Sequence, residues 1–388
     1  MKHFLRYQLL FVVLYAFTIT IITYLFNVAE TYLPEGYSAI EKIEDGFYDK
    51  IKYWLVVNDE NDLSNGLKTA LDKIAIINLD KEVFDSHKSK YNTNLLATKI
   101  NLLAKSRANC FFIDILFSRN IEDKNDSLFM KSLENLQREK KLVMPIHVKK
   151  EPYVDTINSQ YIGRIEHLAM AQFVGANVGE KIRKFDSSLG NCKSVPLELF
   201  SLTDSSKSFN VDETIEVNYL IGKKILRKNS LKFSTLDSIN VKQLANKEIV
   251  FIGTQEDYQD NQGNNIDQHL TPVAMGVFGI EIMVNSYLNL KLNCWIKKAP
   301  YEHVFLVNLA ITLLLVAFFS FYQKYNKIPT PNFVISIGYF LFTFILWIIT
   351  AYFFLAYKHI EIYVLVPLLG NQKIKNLYQL YQSYFITK

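Results

Sequence analysis

Long apolar runs near both ends of the chain set the first limit on what it can fold into. Residues 8–26 carry no charge. As a helix rising about 1.5 Å per residue they reach across a hydrocarbon core of about 30 Å. Residues 302–322 and 332–356 form two more long apolar segments, separated by a loop that holds Lys324, Lys327, Pro329 and Pro331. A further run, Ile360 to Gly370, is only about eleven residues long, marginal for a span. The chain is 49% hydrophobic, and that content is concentrated at the ends. Membrane segments flanking a soluble middle are therefore expected. Lys2 and Arg6 precede the first run, and Val28-Ala29-Glu30 is a poor cleavage site, so an uncleaved anchor with a cytoplasmic N-terminus is expected. That orientation puts the 323–331 loop inside. It leaves Lys291, Lys297 and Lys298 outside, against the charge rule, but large domains translocate largely regardless of charge.

The middle reads as alternating strand and helix. Lys73-Ile-Ala-Ile-Ile-Asn-Leu79-Asp80 is a short apolar run that ends on an acid. Cys110-Phe-Phe-Ile-Asp114 repeats the pattern, and Glu248-Ile-Val-Phe-Ile-Gly253-Thr254 ends on small residues. Such runs are buried strands when polar or turn residues bound them. Between them the spacing predicts helices over 94–106 and 126–138, then a strand over 141–146. That order implies right-handed crossovers and a parallel sheet. Further on, a helix is expected near 164–173, a strand over 214–220, a helix near 235–244 capped from the Ser234–Asp237 stretch, and a closing helix over 277–290. Upstream, Ile40, Ile43, Phe47, Ile51 and Trp54 fall at helical spacing, which predicts an amphipathic helix packed on the domain. Residues 58–66 read as a loop, as does 175–190. The fold class expected is α/β, a mostly parallel sheet flanked by helices, with transmembrane α-helices at both ends.

Composition and motifs exclude several functions. The net charge of +5 is spread along the chain without a Lys/Arg cluster among aromatics, so no nucleic-acid partner is expected. None of the three cysteines stands in a Cys-x-x-Cys pair, which argues against zinc and redox chemistry. Cys110 reads as a core residue, and a Cys192–Cys294 bridge is open only outside the cytoplasm. The 255–269 loop is dense in oxygen ligands, but Gln262 and Gln268 stand where an EF-hand needs Gly and Glu, so a solvated loop and no metal are expected. His-Glu-x-x-His, Gly-x-Ser-x-Gly and a phosphate-binding loop are all missing. No cofactor and no enzymatic activity are expected.

The ordered set of motifs resembles a bacterial extracellular sensory domain of the CHASE type, second class. That family shows Lys-Ile-Val-x-Ile-Gly, then Asp-x-x-x-Thr-Pro, then Gly-Val-x-x-His-Ala-Asn. Here they read Lys247-Glu-Ile-Val-Phe-Ile-Gly253, Asp267-Gln-His-Leu-Thr271-Pro272 and Gly279-Ile-Glu-Ile-Met-Val-Asn285. Asp114-Ile-Leu-Phe-Ser118 and Val217-Asn218-Tyr219 match two further motifs. The family's Asp-x-Asp-Gly-x-x-Arg loop survives here only as Lys181-Ile-Arg183 and Asp186. The resemblance implies residues 1–29 as anchor, 30–300 as extracytoplasmic sensory domain and 301–388 as two or three membrane helices with a short tail. It also implies an inner-membrane sensor. A kinase or cyclase usually follows such a domain, and none is expected within these 388 residues. The expected partners are therefore the lipid bilayer and a separate membrane or cytoplasmic output protein. A homo-oligomer, with a second copy of the chain as partner, is open as well.

Ligands of open α/β sheets sit beyond the carboxyl ends of the strands. Asp80, Asp114, Gly253, Thr254, Asp267 and Thr271 are accordingly the candidate ligand-binding residues. The plainer alternative is that the acids cap helices or turns and that Gly253 permits a tight turn. A non-sensing scaffold subunit has the same topology, and it would show a filled rim instead of a cleft. A membrane-bound hydrolase would need convergent acid and base groups that the sequence does not show.

Overall fold

The computed structural model describes residues 2–31, 39–85, 90–115, 124–149, 155–156, 161–173, 181–204, 214–256, 267–325, 332–362 and 364–371. It divides into two units, 52–295 and a second made of 1–51 with 296–388.

The 52–295 unit is mixed α/β. Its helices are α3 (Asn65–Asp72), α4 (Thr93–Leu103), α5 (Lys124–Glu139), α6 (Val195–Thr203), α7 (Lys223–Lys228), α8 (Ser238–Gln243) and α9 (Gly279–Leu292). Its central strands are β1 (Ile74–Asn78), β2 (Cys110–Ile113), β3 (Lys141–Ile146), β4 (His167–Met170), β5 (Leu231–Lys232) and β6 (Ile249–Gly253). Their order across the sheet is β5-β1-β6-β2-β3-β4, with every neighbouring pair parallel. Both faces are covered, so the strands in the middle of the sheet are nearly all apolar; β2 and β6 are buried along their whole length.

Alternation sorts the side chains to the two faces. Ile74, Ile76, Cys110, Phe112, Ile249 and Phe251 pack on the side of α6 and α9. Ile77, Phe111, Ile113, Val250 and Ile252 pack on the side of α4 and α5. Burial pushes the Cys110 thiol up to about 12, as its place in the core requires. Cys192 and Cys294 are free thiols.

A ladder of asparagines fixes the irregular chain that follows the short strand Thr214–Glu216. Asn285 and Asn289 lie one turn apart on α9, both fully buried. Asn285 Oδ1 accepts from the N–H of Leu220 and of Ile221 at 3.0 and 3.1 Å, and its Nδ2 donates to Ile221 O. Asn289 exchanges hydrogen bonds with both backbone groups of Asn218. A non-ladder segment can be buried only because these amides satisfy it. Lys52, at the end of α2 (Ala39–Leu55), and Glu216 form a buried pair at 2.6 Å.

The second unit contains α1 (Lys2–Thr31), the first part of α2, α10 (Tyr301–Tyr325), α11 (Asn332–Lys358) and α12 (Leu365–Asn371). Two stretches, Tyr301–Phe318 and Gly338–Lys358, are long and apolar enough to cross a membrane; the apolar stretch of α1 is shorter, Leu10–Leu25. Large apolar side chains stand exposed along all three helices, among them Leu14, Phe17, Leu306, Leu314, Phe344 and Ile349. α1 and α10 meet through a Thr20–Asn308 hydrogen bond at 3.2 Å and the edge-on ring pair Tyr24–Tyr301.

Besides the strand expected over 214–220, which ends at Glu216, and the loop expected over 175–190, which holds the short strands Lys184–Asp186 and Ser188–Leu189, the sequence expectations are corrected at four places. Residues 167–170 form an edge strand, not a helix, because pairing of Val143 with His167 and of Ile146 with Met170 outweighs local propensity. The 58–66 stretch is not all loop: it holds a 3₁₀ turn at Glu60–Asp62 and the start of α3. In α2, Ile43 and Trp54 are exposed at 56% and 65%, while Glu44, Tyr48, Ile51 and Lys52 are buried. The buried face takes polar groups because they have backbone partners, such as Glu44 with Val364 N–H at 2.9 Å. The run from Ile360 is a two-residue strand followed by the seven-residue α12 rather than one helix. The tyrosines Tyr15 and Tyr339 bond the last carbonyls of α12, at Gly370 and Asn371. Most of the oxygen-rich loop, 257–266, and part of the 175–190 loop lie outside the described residues.

Candidate functional site at the carboxyl ends of the strands

β1, β6 and β2 run side by side, so their carboxyl ends share one rim. In register, Asn78 faces Gly253, and Ile252 faces Ile113. Asp80, Asp114, Gly253 and Thr254 therefore lie at or just past neighbouring strand ends, while Asp267 and Thr271 flank the two-residue strand Gln268–His269 further along the chain.

Asp80 is 4% exposed. Its Oδ2 accepts from Ser234 Oγ at 2.6 Å and from Ser234 N–H at 3.3 Å, which ties the end of β1 to the turn after β5. Its Oδ1 has no hydrogen-bond partner among the described residues. Gly253 serves packing: a Cβ there would stand 2.9 Å from Ile280 Cβ on α9. Gly253→Ala is therefore expected to cost about 1–3 kcal/mol by overpacking, read as a lower urea midpoint with an unchanged slope. Thr254 is buried and by alternation faces the α4 side, away from Gly253. Thr271 closes its own turn, with Oγ1 donating to Ala274 O at 2.9 Å and accepting from Ala274 N–H at 3.1 Å.

Asp114 and Asp267 are the two predicted residues that act on each other. Asp114 N–H donates to Ile252 O at 2.7 Å, which continues the ladder and fixes the residue at the rim. Asp267 has positive φ (58°), and its Oδ2 accepts from Gly279 N–H, the first residue of α9, at 3.1 Å. A Cβ at position 279 would meet Asp267 Oδ1 at 2.6 Å, so glycine is what lets the carboxylate reach the helix end. His269 Nε2 lies 3.3 Å from the same Oδ1. The residue Asp114 keeps partial exposure, but protein atoms crowd its carboxyl. That desolvation, with the Asp267 charge added, pushes Asp114 well above the usual carboxylate range. Tyr91 and Tyr161 feel the Asp114 charge as well, and burial is the main cause that raises both phenols. Tyr161 OH donates to Ile115 O at 2.7 Å.

A raised folded-state value means that the native protein holds the Asp114 proton where the unfolded chain has lost it. Stability from this residue is full below about pH 4, the ordinary carboxylate value, and is lost as pH rises toward the folded value. Asp114→Asn is expected to match the parent near pH 4 and to melt higher at neutral pH. Thermal melts across that range check it.

A second polar cluster at the rim was not anticipated. Glu281, the third residue of α9, is fully buried. Arg227 grips it with Nε–Oε1 at 2.6 Å and Nη2–Oε2 at 3.1 Å, and also donates to Gly276 O. Glu281 further accepts from Phe278 N–H and from Gln255 Nε2. Asn78 links the cluster to β1: its Oδ1 accepts from Gln255 N–H at 2.8 Å. Gln255 Oε1 is buried without a partner among the described residues. The signal in the sequence was Glu281 at a helix N3 position, where a carboxylate meets the free N–H groups of the first turn.

The rim thus offers the acids Asp114 and Asp267, an Arg–Glu–Gln–Asn network, and acceptor oxygens on Asp80 and Gln255 that have no partner among the described residues. Among the described residues, no three His, Cys, Asp or Glu side chains converge as a metal site would need. Described grooves of about 580, 510 and 730 Å³ lie elsewhere in the unit, around β1 with α3, between α4 and α8, and around the start of β2.

Comparison with known proteins places this arrangement. No curated protein and no solved structure matches the chain. The family model of the CHASE2 domain matches residues 18–320, which takes in the whole α/β unit. The chain belongs to the CHASE2 domain family, a family of extracellular sensory domains.

Proposed function

We propose that this protein is a membrane-anchored extracytoplasmic sensor that passes its signal to a separate partner. α1 is the anchor, the α/β unit is the sensory domain, and α10 and α11 return the chain to the membrane. The tail and α12 follow them. The observation that carries this reading is the exposed apolar surface of α1, α10 and α11, on either side of the sensory unit in sequence. Side chains such as Leu14, Phe17, Leu314, Phe344 and Ile349 need an apolar solvent, and lipid supplies it. α9 starts at the rim and leads within a few residues into α10, so a ligand that favours one arrangement of the Asp114–Asp267 pair has a short covalent route to the membrane helices. The reading has no catalytic step. Retention of the protein in membranes through alkaline carbonate extraction supports it, and release into the supernatant would contradict it.

A second reading, a structural subunit that binds protein and senses nothing, is favoured by one observation. Gly253 and Thr271 are used for packing and turn closure, and one oxygen of Asp80 is tied to Ser234. Co-purification from detergent separates the two: a sensor's partner contact changes with the signal, and a scaffold's does not.

A further inference from the structure

Among the described residues, the short edge strand β5 leaves part of β1 uncovered. β6 covers β1 from Ile74 to Asn78, but β5 covers it only at Ile77 and Asn78. The odd-numbered residues of β1 turn their backbone groups to β6, as the bond from Leu79 N–H to Gly253 O requires. The even-numbered ones turn to the β5 side, where Asn78 O accepts from Phe233 N–H. The N–H and C=O of Ile74 and the N–H of Ile76 therefore aim at the space that a longer β5 would fill.

In that space lies a groove of about 580 Å³. Ile74, Ala75 and Ile76 form its floor; Leu71 and Leu226 wall it on one face of the sheet and Leu244 on the other, and the charged Glu60, Lys68, Asp72 and Lys247 line it as well. Sheet edges are ordinarily blunted by charge, proline or a bulge, and the residues here are Ile, Ala and Ile. A row of backbone donors and acceptors at strand spacing, between apolar walls above and below, asks for a molecule with the complementary row and side chains that alternate up and down. An extended polypeptide has both. We infer that the open edge of β1 receives an extended segment of another polypeptide, added to the sheet in line with β5 and carrying apolar side chains at alternate positions. This stands apart from the membrane reading and from the rim.

The test uses the full chain in detergent and the peptide acetyl-Thr-Val-Thr-Val-Thr-amide at millimolar concentration. In the free protein, the Ile76 amide is expected to exchange at least about tenfold faster than the Ile77 amide, although both residues are buried. The peptide is expected to slow Ile76 exchange by a similar factor and to leave Ile77 unchanged. The same peptide N-methylated at alternate residues is expected to do nothing, as is the parent peptide on Gln243→Trp, which fills the groove from its exposed rim. Equal exchange of Ile76 and Ile77 in the free protein overturns the inference. So does a peptide that leaves Ile76 exchange unchanged, or equal protection by the methylated form.

Discussion

Asn285→Leu is expected to destabilise the α/β unit more than either Gly253→Ala or Arg227→Met. Leucine fills the volume but offers no hydrogen bonds. Three backbone groups lose their only described partner at once: Leu220 N–H, Ile221 N–H and Ile221 C=O. Ile221 is 1% exposed and Asn285 2%, so water does not replace the amide. At roughly 1–3 kcal/mol for each stranded group, with some relaxation, the loss is about 4 kcal/mol. For a unit of this size that lowers the melting temperature by roughly 10 °C. The exposed substitution Gln243→Ala serves as the control, with an expected change within about 0.5 kcal/mol. A loss under about 1 kcal/mol in Asn285→Leu would show that the 218–221 segment has another support.

Arg227→Met is the second large effect, expected to cost about 3 kcal/mol. Arg227 is the cation against Glu281, whose side chain is fully buried. It also lies over the Phe278 ring at 4.9 Å. Methionine keeps part of the packing and removes the charge. Among the described residues the Glu281 carboxylate is then left with Phe278 N–H and Gln255 Nε2. Breaking a buried pair from one side costs roughly 3–5 kcal/mol, and the partial exposure of Arg227 sets the lower end. The double variant Arg227→Met/Glu281→Met is expected to recover most of the loss, because no charge remains to be desolvated. Urea titrations of the two single variants and the double one form a cycle that isolates the pair. A double variant as weak as Arg227→Met alone would mean that the cost comes from lost packing on Phe278.

The middle of the sheet was legible because β1, β2, β3 and β6 are short, mostly apolar and separated by helices of the right length. The 141–146 strand falls where the pattern puts it, and β1, β2 and β6 shift by only a residue or two, but the two-residue β5 has no sequence signal and the expected 214–220 strand lies outside this sheet and ends at Glu216. β4 was not legible: Ile165, Leu168 and Ala169 suit a helix, and only the pairing with β3 makes them a strand. The face of α2 was misjudged for a related reason. Helical spacing marks a stripe, but it does not say that Glu44 and Lys52 have partners ready inside. Asp114 is readable as a strand end and Asp267 as an acid in the following loop, but that the Asp267 charge adds to the burial that raises Asp114 is visible only in the fold. The Arg227–Glu281 pair was not, because its members lie 54 residues apart on different helices and no local spacing joins them. Gly253 was noticed for its small size, but the reason for that size, the approach of Ile280, exists only in three dimensions.

The central claim is that the CHASE2 unit faces away from the cytoplasm while α1, α10 and α11 lie in the bilayer. Labelling a single cysteine tests it most directly. Ile239→Cys, at a position 68% exposed on α8, is placed in a background with Cys110, Cys192 and Cys294 replaced, and intact spheroplasts are treated with a membrane-impermeant thiol reagent. The expected result is labelling before lysis. Labelling only after lysis would put the α/β unit in the cytoplasm and contradict the extracytoplasmic sensor.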